Sequence, residues 1–219
     1  MTPNQTEHRV TRVLLALSGS LPFVREVGIG TGRERAFASG DLERALRALS
    51  NQFQLQLQQA AEARQVKHSF RTLQARLDAL LAEVTAADVL IVGSSGTVHA
   101  AHARPSHLYL LYEGGESGRR GLALTAQLTG NGYRGATLLT ETVLPQDVVA
   151  GAANWLQMHG RLPVDALQAD TFTFDTLVAA LAGRPRGLLL LPRGCRLLQD
   201  PLALSRIVKR LGMPVLLYG

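Results

Sequence analysis

Leu108-Tyr-Leu-Leu-Tyr-Glu-Gly-Gly-Glu-Ser-Gly-Arg-Arg-Gly-Leu-Ala-Leu124 decides the fold class. Leu108 to Tyr112 is a short apolar run of strand length, Glu113-Gly114-Gly115 is the turn that leaves it, and Leu122, Leu124, Ala126 and Leu128 carry a helix closed by Gly130-Asn131-Gly132. The same alternation repeats downstream. Ala136 to Thr140 reads as a strand and Asp147 to His159 as a helix bearing the only tryptophan, Trp155. Val164 to Ala169 is the next strand and Asp175 to Ala182 the next helix. Gly187-Leu-Leu-Leu-Leu191 halts at Pro192, Leu202 to Leu211 is a helix, and Pro214-Val-Leu-Leu-Tyr218 closes the chain. Short uniformly apolar strands separated by helices are the pattern of βαβ units around a parallel sheet buried on both faces.

Working towards the N-terminus, Asp88-Val-Leu-Ile-Val-Gly93 is another buried-strand run. Leu73, Leu77, Leu80, Leu81 and Val84 predict a helix before it, and the alternation of Val66, His68 and Phe70 a strand before that. Leu42, Leu46, Leu49, Phe53, Leu57 and Ala60 form one apolar stripe of a long helix capped by Ser39 or Asp41, with Gln52, Gln54, Gln56, Gln58 and Gln59 on the opposite face. That glutamine-rich surface is a plausible packing element between subunits. Arg12 to Ser20 fits a first strand or a helix; with only about forty residues before Asp41, the helix reading is favoured, with early strands missing. Such a truncated sheet has an open edge that something must cover, either the rest of the chain or a second copy.

These segments, in this order, resemble the universal stress protein superfamily. Leu108 to Leu124 is similar to the family's opening strand, acidic-glycine-serine turn and first helix, Arg186 to Gly194 to its penultimate strand, and Met213-Pro-Val-Leu-Leu-Tyr218 to its closing strand. Ala87-Asp-Val-Leu-Ile-Val-Gly-Ser-Ser-Gly96 is similar to the Asp-Leu-Ile-Val-Met-Gly-Ser-Arg-Gly stretch of an earlier repeat. The resemblance implies an α/β fold of open, mostly parallel sheets with helices on both faces, Rossmann-like, in two unequal repeats: a truncated one over 1–105 and a more complete one over 106–219.

It also implies where a nucleotide would bind. Nucleotide-binding members carry Gly-x-x-Gly, nine residues, then Gly-Ser or Gly-Thr, glycines that let backbone N–H groups approach phosphates. Gly93, Ser94 and Gly96 supply the first part, and Ser106 stands nine residues on, preceded by Pro105 where the second glycine belongs. The acidic residue that holds the adenosine corresponds to Glu113, followed by Gly114 and one methylene longer than the family's aspartate. Arg193-Gly194-Cys195-Arg196 has one glycine and no partner at the required spacing. The resemblance therefore implies a stress-response or regulatory protein acting mainly by protein contacts, with nucleotide binding weak or lost. The alternative is an ATP-binding or ATP-hydrolysing member, with ATP as the possible cofactor.

Composition narrows the classes further. Of 219 residues 46% are hydrophobic and 18% charged, ample for a core and against disorder. Net charge is +6, and the tail after Gly183 holds Arg184, Arg186, Arg193, Arg196, Arg206, Lys209 and Arg210 against Asp200 alone. The aromatics are not interleaved with these cations, so a solvated basic face is expected in place of a nucleic-acid site. No apolar run approaches the roughly 20 residues of a membrane span. With one cysteine, Cys195, there is no internal disulfide, and a reducing, cytoplasmic setting is expected, with a homodimer as the simplest assembly.

Other chemistry is sparse. His99, His102 and His107 could ligate zinc but have no carboxylate or cysteine nearby in sequence, so no metal is expected. Cys195 between Arg193 and Arg196 could have a lowered pKa, although an ordinary thiol is the simpler expectation. Glu113 with Glu116, and Asp170 with Asp175, are the paired carboxylates, and neither pair has an accompanying nucleophile or oxyanion motif, so no catalytic residue is assigned.

Overall fold

The computed structural model describes residues 13–18, 26–27, 34–35, 51, 54–55, 57–63, 65, 89–94, 106–200 and 202–219. The chain divides into two units, one comprising 1–19 and 77–219 and the other 20–76.

The larger unit is built on the apolar runs. Its strands are β1 (Val13–Ser18), β4 (Val89–Ser94), β5 (His107–Leu111), β6 (Gly135–Glu141), β7 (Val164–Ala169), β8 (Gly187–Pro192) and β9 (Val215–Tyr218), with β2 (Glu26–Val27) and β3 (Glu34–Arg35) belonging to the smaller unit. Helices α1 (Gly115–Leu128), α2 (Gln146–Gly160), α3 (Phe174–Leu181) and α4 (Ala203–Leu211) connect β5 to β9 in turn. The strands make one sheet in the order β1-β4-β9-β8-β5-β6-β7. The five from β5 onward are mutually parallel, in the doubly wound order expected of successive βαβ crossovers.

Alternation along these strands sorts their side chains between two cores. Leu108, Leu110, Leu138, Leu188, Leu190 and Leu216 pack with Leu122 of α1 and Ala152 and Leu156 of α2. Tyr109, Leu111, Leu139, Leu189, Leu191 and Leu217 pack on the other face with Leu177 and Leu181 of α3 and Leu204, Ile207 and Val208 of α4. Both faces are covered, which is why these strands read as unbroken apolar runs with no polar alternation. The edge strand β7 admits Asp165 and Gln168 at exposed positions because it has one neighbour.

One feature departs from expectation, and a second decides between two expected covers of the open edge. Residues 13–18 form a strand, not the favoured helix: Val13 to Ser18 pair in parallel, residue for residue, with Val89 to Ser94. The five-residue apolar run Val13 to Leu17 satisfies either period, and the buried partner strand decides. Secondly, the far side of β4 is paired by β9, antiparallel, with Val89 opposite Tyr218 and Val92 opposite Val215. The open edge is thus covered by the chain's own last strand, and strands from both sides of residue 105 share one sheet.

In the smaller unit, β2 (Glu26–Val27) and β3 (Glu34–Arg35) form an antiparallel pair. Residues 51, 54–55 and 57–62 are helical. Leu55 and Leu57 are exposed, as is Ala60, and Ala61 is the buried position. The inward stripe expected to include Leu57 and Ala60 is therefore not the buried face of this stretch. The strand expected at 66–70 and the helix expected at 73–84 lie outside the described residues.

Candidate functional site at the carboxyl edge of the parallel sheet

In an open parallel sheet, connections leave the carboxyl ends of adjacent strands towards opposite faces at the point where the winding reverses, opening a crevice. Here that point lies between β5, which leads into α1, and β8, which leads towards α4 on the other face. The residues delivered there are Glu113 and Gly114 from β5 and Arg193 to Arg196 from β8, with Glu141 at the end of β6 and Tyr218 at the end of β9.

Gly114 and Gly115 take φ of +77° and +61°, a left-handed turn that side chains resist, so the chain can reverse directly from β5 into α1. Helix α1 then lies close on the sheet. A Cβ at Gly118 would come 2.7 Å from Cε2 of Tyr112, and one at Gly121 would come 2.7 Å from Cζ of Tyr218. The Tyr218 hydroxyl donates to the Leu111 carbonyl at 3.3 Å, tying β9 to the end of β5. On the β8 side, Arg193 N–H donates to the Tyr218 carbonyl at 2.9 Å and Cys195 N–H to the Pro192 carbonyl at 3.1 Å.

The crevice holds charges of both signs. Glu113 reaches solvent, yet its pKa is pushed up, first by loss of hydration against the protein and then by the Glu141 carboxylate, with Arg196 opposing. Glu141 accepts the Phe172 N–H at 3.1 Å. Glu116, in the first turn of α1, is paired with Arg120 at 2.7 Å. Glu113 and Glu141 therefore bring two carboxylates to this end of the sheet, with Arg196 opposing them, while the charge of Glu116 in the first turn of α1 is answered by Arg120. Cys195 is 2% exposed. Burial, followed by the Glu113 carboxylate, pushes its thiol up to about 12, and the flanking arginines do not make it a thiolate.

The residues expected to form one nucleotide pocket are divided between the two edges of the sheet. Glu113 and Gly114 lie at the carboxyl edge. Gly93 and Ser94 end β4, which runs opposite to β9, so they point past Val215 to the edge where β5 and β8 begin. Ser106 is at that second edge as well, its N–H donating to the Arg186 carbonyl at 3.0 Å and its carbonyl accepting from Arg134 N–H. The six residue steps from His107 to Glu113 span about 20 Å of extended chain, too far for one triphosphate loop to serve both ends. Gly96, His99 and His102 lie outside the described residues.

The amino edge also carries a polar chain that sequence spacing did not reveal. The Thr137 hydroxyl donates to Asp165 Oδ1, and Arg184 Nη1 donates to Asp165 Oδ2 at 3.2 Å. Having given its one proton to Asp165, Thr137 accepts from His107 Nε2–H at 2.8 Å. Burial lowers the His107 pKa, with Asp165 opposing and Arg184 adding to the shift. His107, Thr137 and Asp165 are 28 to 30 residues apart and come from three neighbouring strands, so only the register of the sheet brings them together. Among the described residues no group of three or more histidine, cysteine, aspartate and glutamate side chains is placed to hold a metal. Nor is any described helix long and apolar enough to cross a membrane. In comparison with known proteins, no family model matches the chain and no curated protein matches it.

Proposed function

We propose that this protein is a universal-stress-protein-like regulatory protein that acts through protein contacts, with nucleotide binding weak or lost. The observation that carries the reading is the division of Gly93 and Ser94 from Glu113 and Gly114 between opposite edges of one sheet. The neighbouring carboxylates of Glu113 and Glu141 add to it, since they repel the phosphates that a glycine turn and helix end would attract. The protein works in the cytoplasm, where a lone thiol such as Cys195 stays reduced. It works as a homodimer. One stripe of α2 leaves Val148 and Met158 exposed, with Trp155 between them stacked on His159 at 4.1 Å, and a second copy is the partner proposed for it.

A second reading, an ATP-binding member of the same superfamily, draws on one observation: the Gly114–Gly115 turn opens beside Arg196 at the switch point of the sheet. Calorimetric titration of the protein with Mg-ATP, ADP and AMP separates the two. The first reading expects no saturable heat up to millimolar nucleotide, and saturable 1:1 binding of ATP at micromolar concentration overturns it. Sedimentation at micromolar protein tests the dimer, which Met158→Asp is expected to shift towards monomer.

A further inference from the structure

At the amino edge of the sheet, on the face covered by α3 and α4, a cavity of about 330 Å³ opens between the C-terminal ends of those helices. Its apolar wall includes Val178, Leu181, Leu211 and Met213, and its mouth carries Arg184, Arg186 and Arg210. Met213 is buried and its sulfur receives the Gly187 N–H at 3.3 Å, so the floor is fixed by the start of β8. Arg184 is held by Asp165, while the side chains of Arg186 and Arg210 make no hydrogen bond or ion pair with any described residue. We propose that this cavity binds a small monoanion with an apolar body, a medium-chain or aromatic carboxylate, through the three guanidinium groups.

The charge count selects the ligand. Three arginines bring three positive charges and Asp165 removes one. The C-terminal ends of α3 and α4 each contribute about half a negative charge, so roughly one positive charge is left over. Lys209, in the last turn of α4 and outside the cavity lining, is not part of this count. Arg184 and Arg186 lie beyond the end of α3, in the segment leading to β8, and exceed what two helix ends require. A single carboxylate matches the excess, whereas a phosphate dianion overshoots it. The volume falls at the lower end of the range for small-molecule sites, about 300–1,000 Å³, and suits an apolar body of a few carbons. Guanidinium forks match carboxylates in a bidentate geometry, while the apolar wall excludes an ion without a hydrophobic part. This site lies apart from the carboxyl-edge crevice and does not depend on the function proposed above.

Octanoate is the probe. Calorimetric titration of the full chain is expected to show 1:1 binding of octanoate, with octanol and inorganic phosphate each at least tenfold weaker. Arg186→Gln combined with Arg210→Gln, both at exposed positions, is expected to weaken octanoate at least tenfold. The wild-type protein gives a second readout with methyl-labelled methionine: octanoate shifts the Met213 resonance and leaves that of exposed Met158 in place. Absence of binding at millimolar octanoate, equal binding of octanol or phosphate, unchanged affinity in the folded double variant, or an unmoved Met213 resonance each overturns the proposal.

Discussion

Gly121→Ala and Gly151→Ala make the same chemical change in two helix interiors and are expected to move stability in opposite directions. Gly151 in α2 is exposed and a Cβ there meets nothing within 4 Å, so only helix propensity acts. Replacing glycine by alanine in a helix interior gains about 1 kcal/mol. Gly121 in α1 gains the same amount, but its Cβ would press on Tyr218 and come 2.8 Å from Leu110 Cδ1. Overpacking of this kind costs about 1–3 kcal/mol, and displacing Tyr218 forfeits its bond to Leu111, worth about 1 kcal/mol. The net effect is a loss of about 1–3 kcal/mol, so the two variants should differ by about 2–4 kcal/mol. At about 2–4 °C per kcal/mol for a chain of this size, thermal melts followed by circular dichroism should separate them by about 4–16 °C. Equal melting temperatures would refute the close seating of α1 on Tyr112, Tyr218 and β5, and with it the geometry of the crevice.

Three further outcomes follow from the electrostatics. Glu113 has a raised pKa in the fold, so its contribution is present below its ordinary value of 4.5 and is lost as the pH rises through the folded value. Glu113→Gln should therefore melt above wild type at pH 7, with the advantage gone below about pH 4; a pH-independent difference would show that the shift is not there. His107 has the opposite sign: its lowered pKa gives stability that is present above 6.5 and lost as the pH falls through the folded value. The stability advantage of wild type over His107→Gln should shrink on acidification from pH 7 to 5, and a constant difference in urea midpoints would contradict this. Cys195, buried with its pKa pushed up to about 12, should react with an aromatic disulfide reagent only after unfolding; rapid labelling of the native protein at pH 7.5 would show an accessible thiolate.

Much of the fold was legible because burial on both faces writes itself as uninterrupted apolar runs. Leu108 to Leu111 and Gly187 to Leu191 have no other stable use in a chain with helices between them, and the structure places both at the centre of the sheet. The segment at 13–18 was ambiguous because Val-Leu-Leu-Ala-Leu suits a strand or a helix, and the deciding fact is its pairing with a strand more than seventy residues away. The polarity of β4 against β9 was not legible at all: nothing in Val89 to Val92 or Val215 to Tyr218 encodes which way one lies against the other. That single pairing carries Gly93 and Ser94 to the edge opposite Glu113, which motif spacing alone could not reveal. Glu141 and the His107–Thr137–Asp165 chain escaped notice for the same reason, since each contact depends on strand register. At Cys195 the flanking arginines are visible in sequence, but the inward turn of the thiol after Pro192 is not.

The antiparallel pairing of β4 with β9 is the claim on which the site rests, and methyl–methyl nuclear Overhauser contacts in selectively labelled protein test it most directly. The account predicts contacts between Val92 and Val215 and between Leu90 and Leu217, the pairs set opposite each other by the register. Contacts linking Leu90 to Val215 and Val92 to Leu217 instead would mean that the two strands run in the same direction. Gly93 and Ser94 would then face the same edge as Glu113, and the case against a nucleotide pocket would fall.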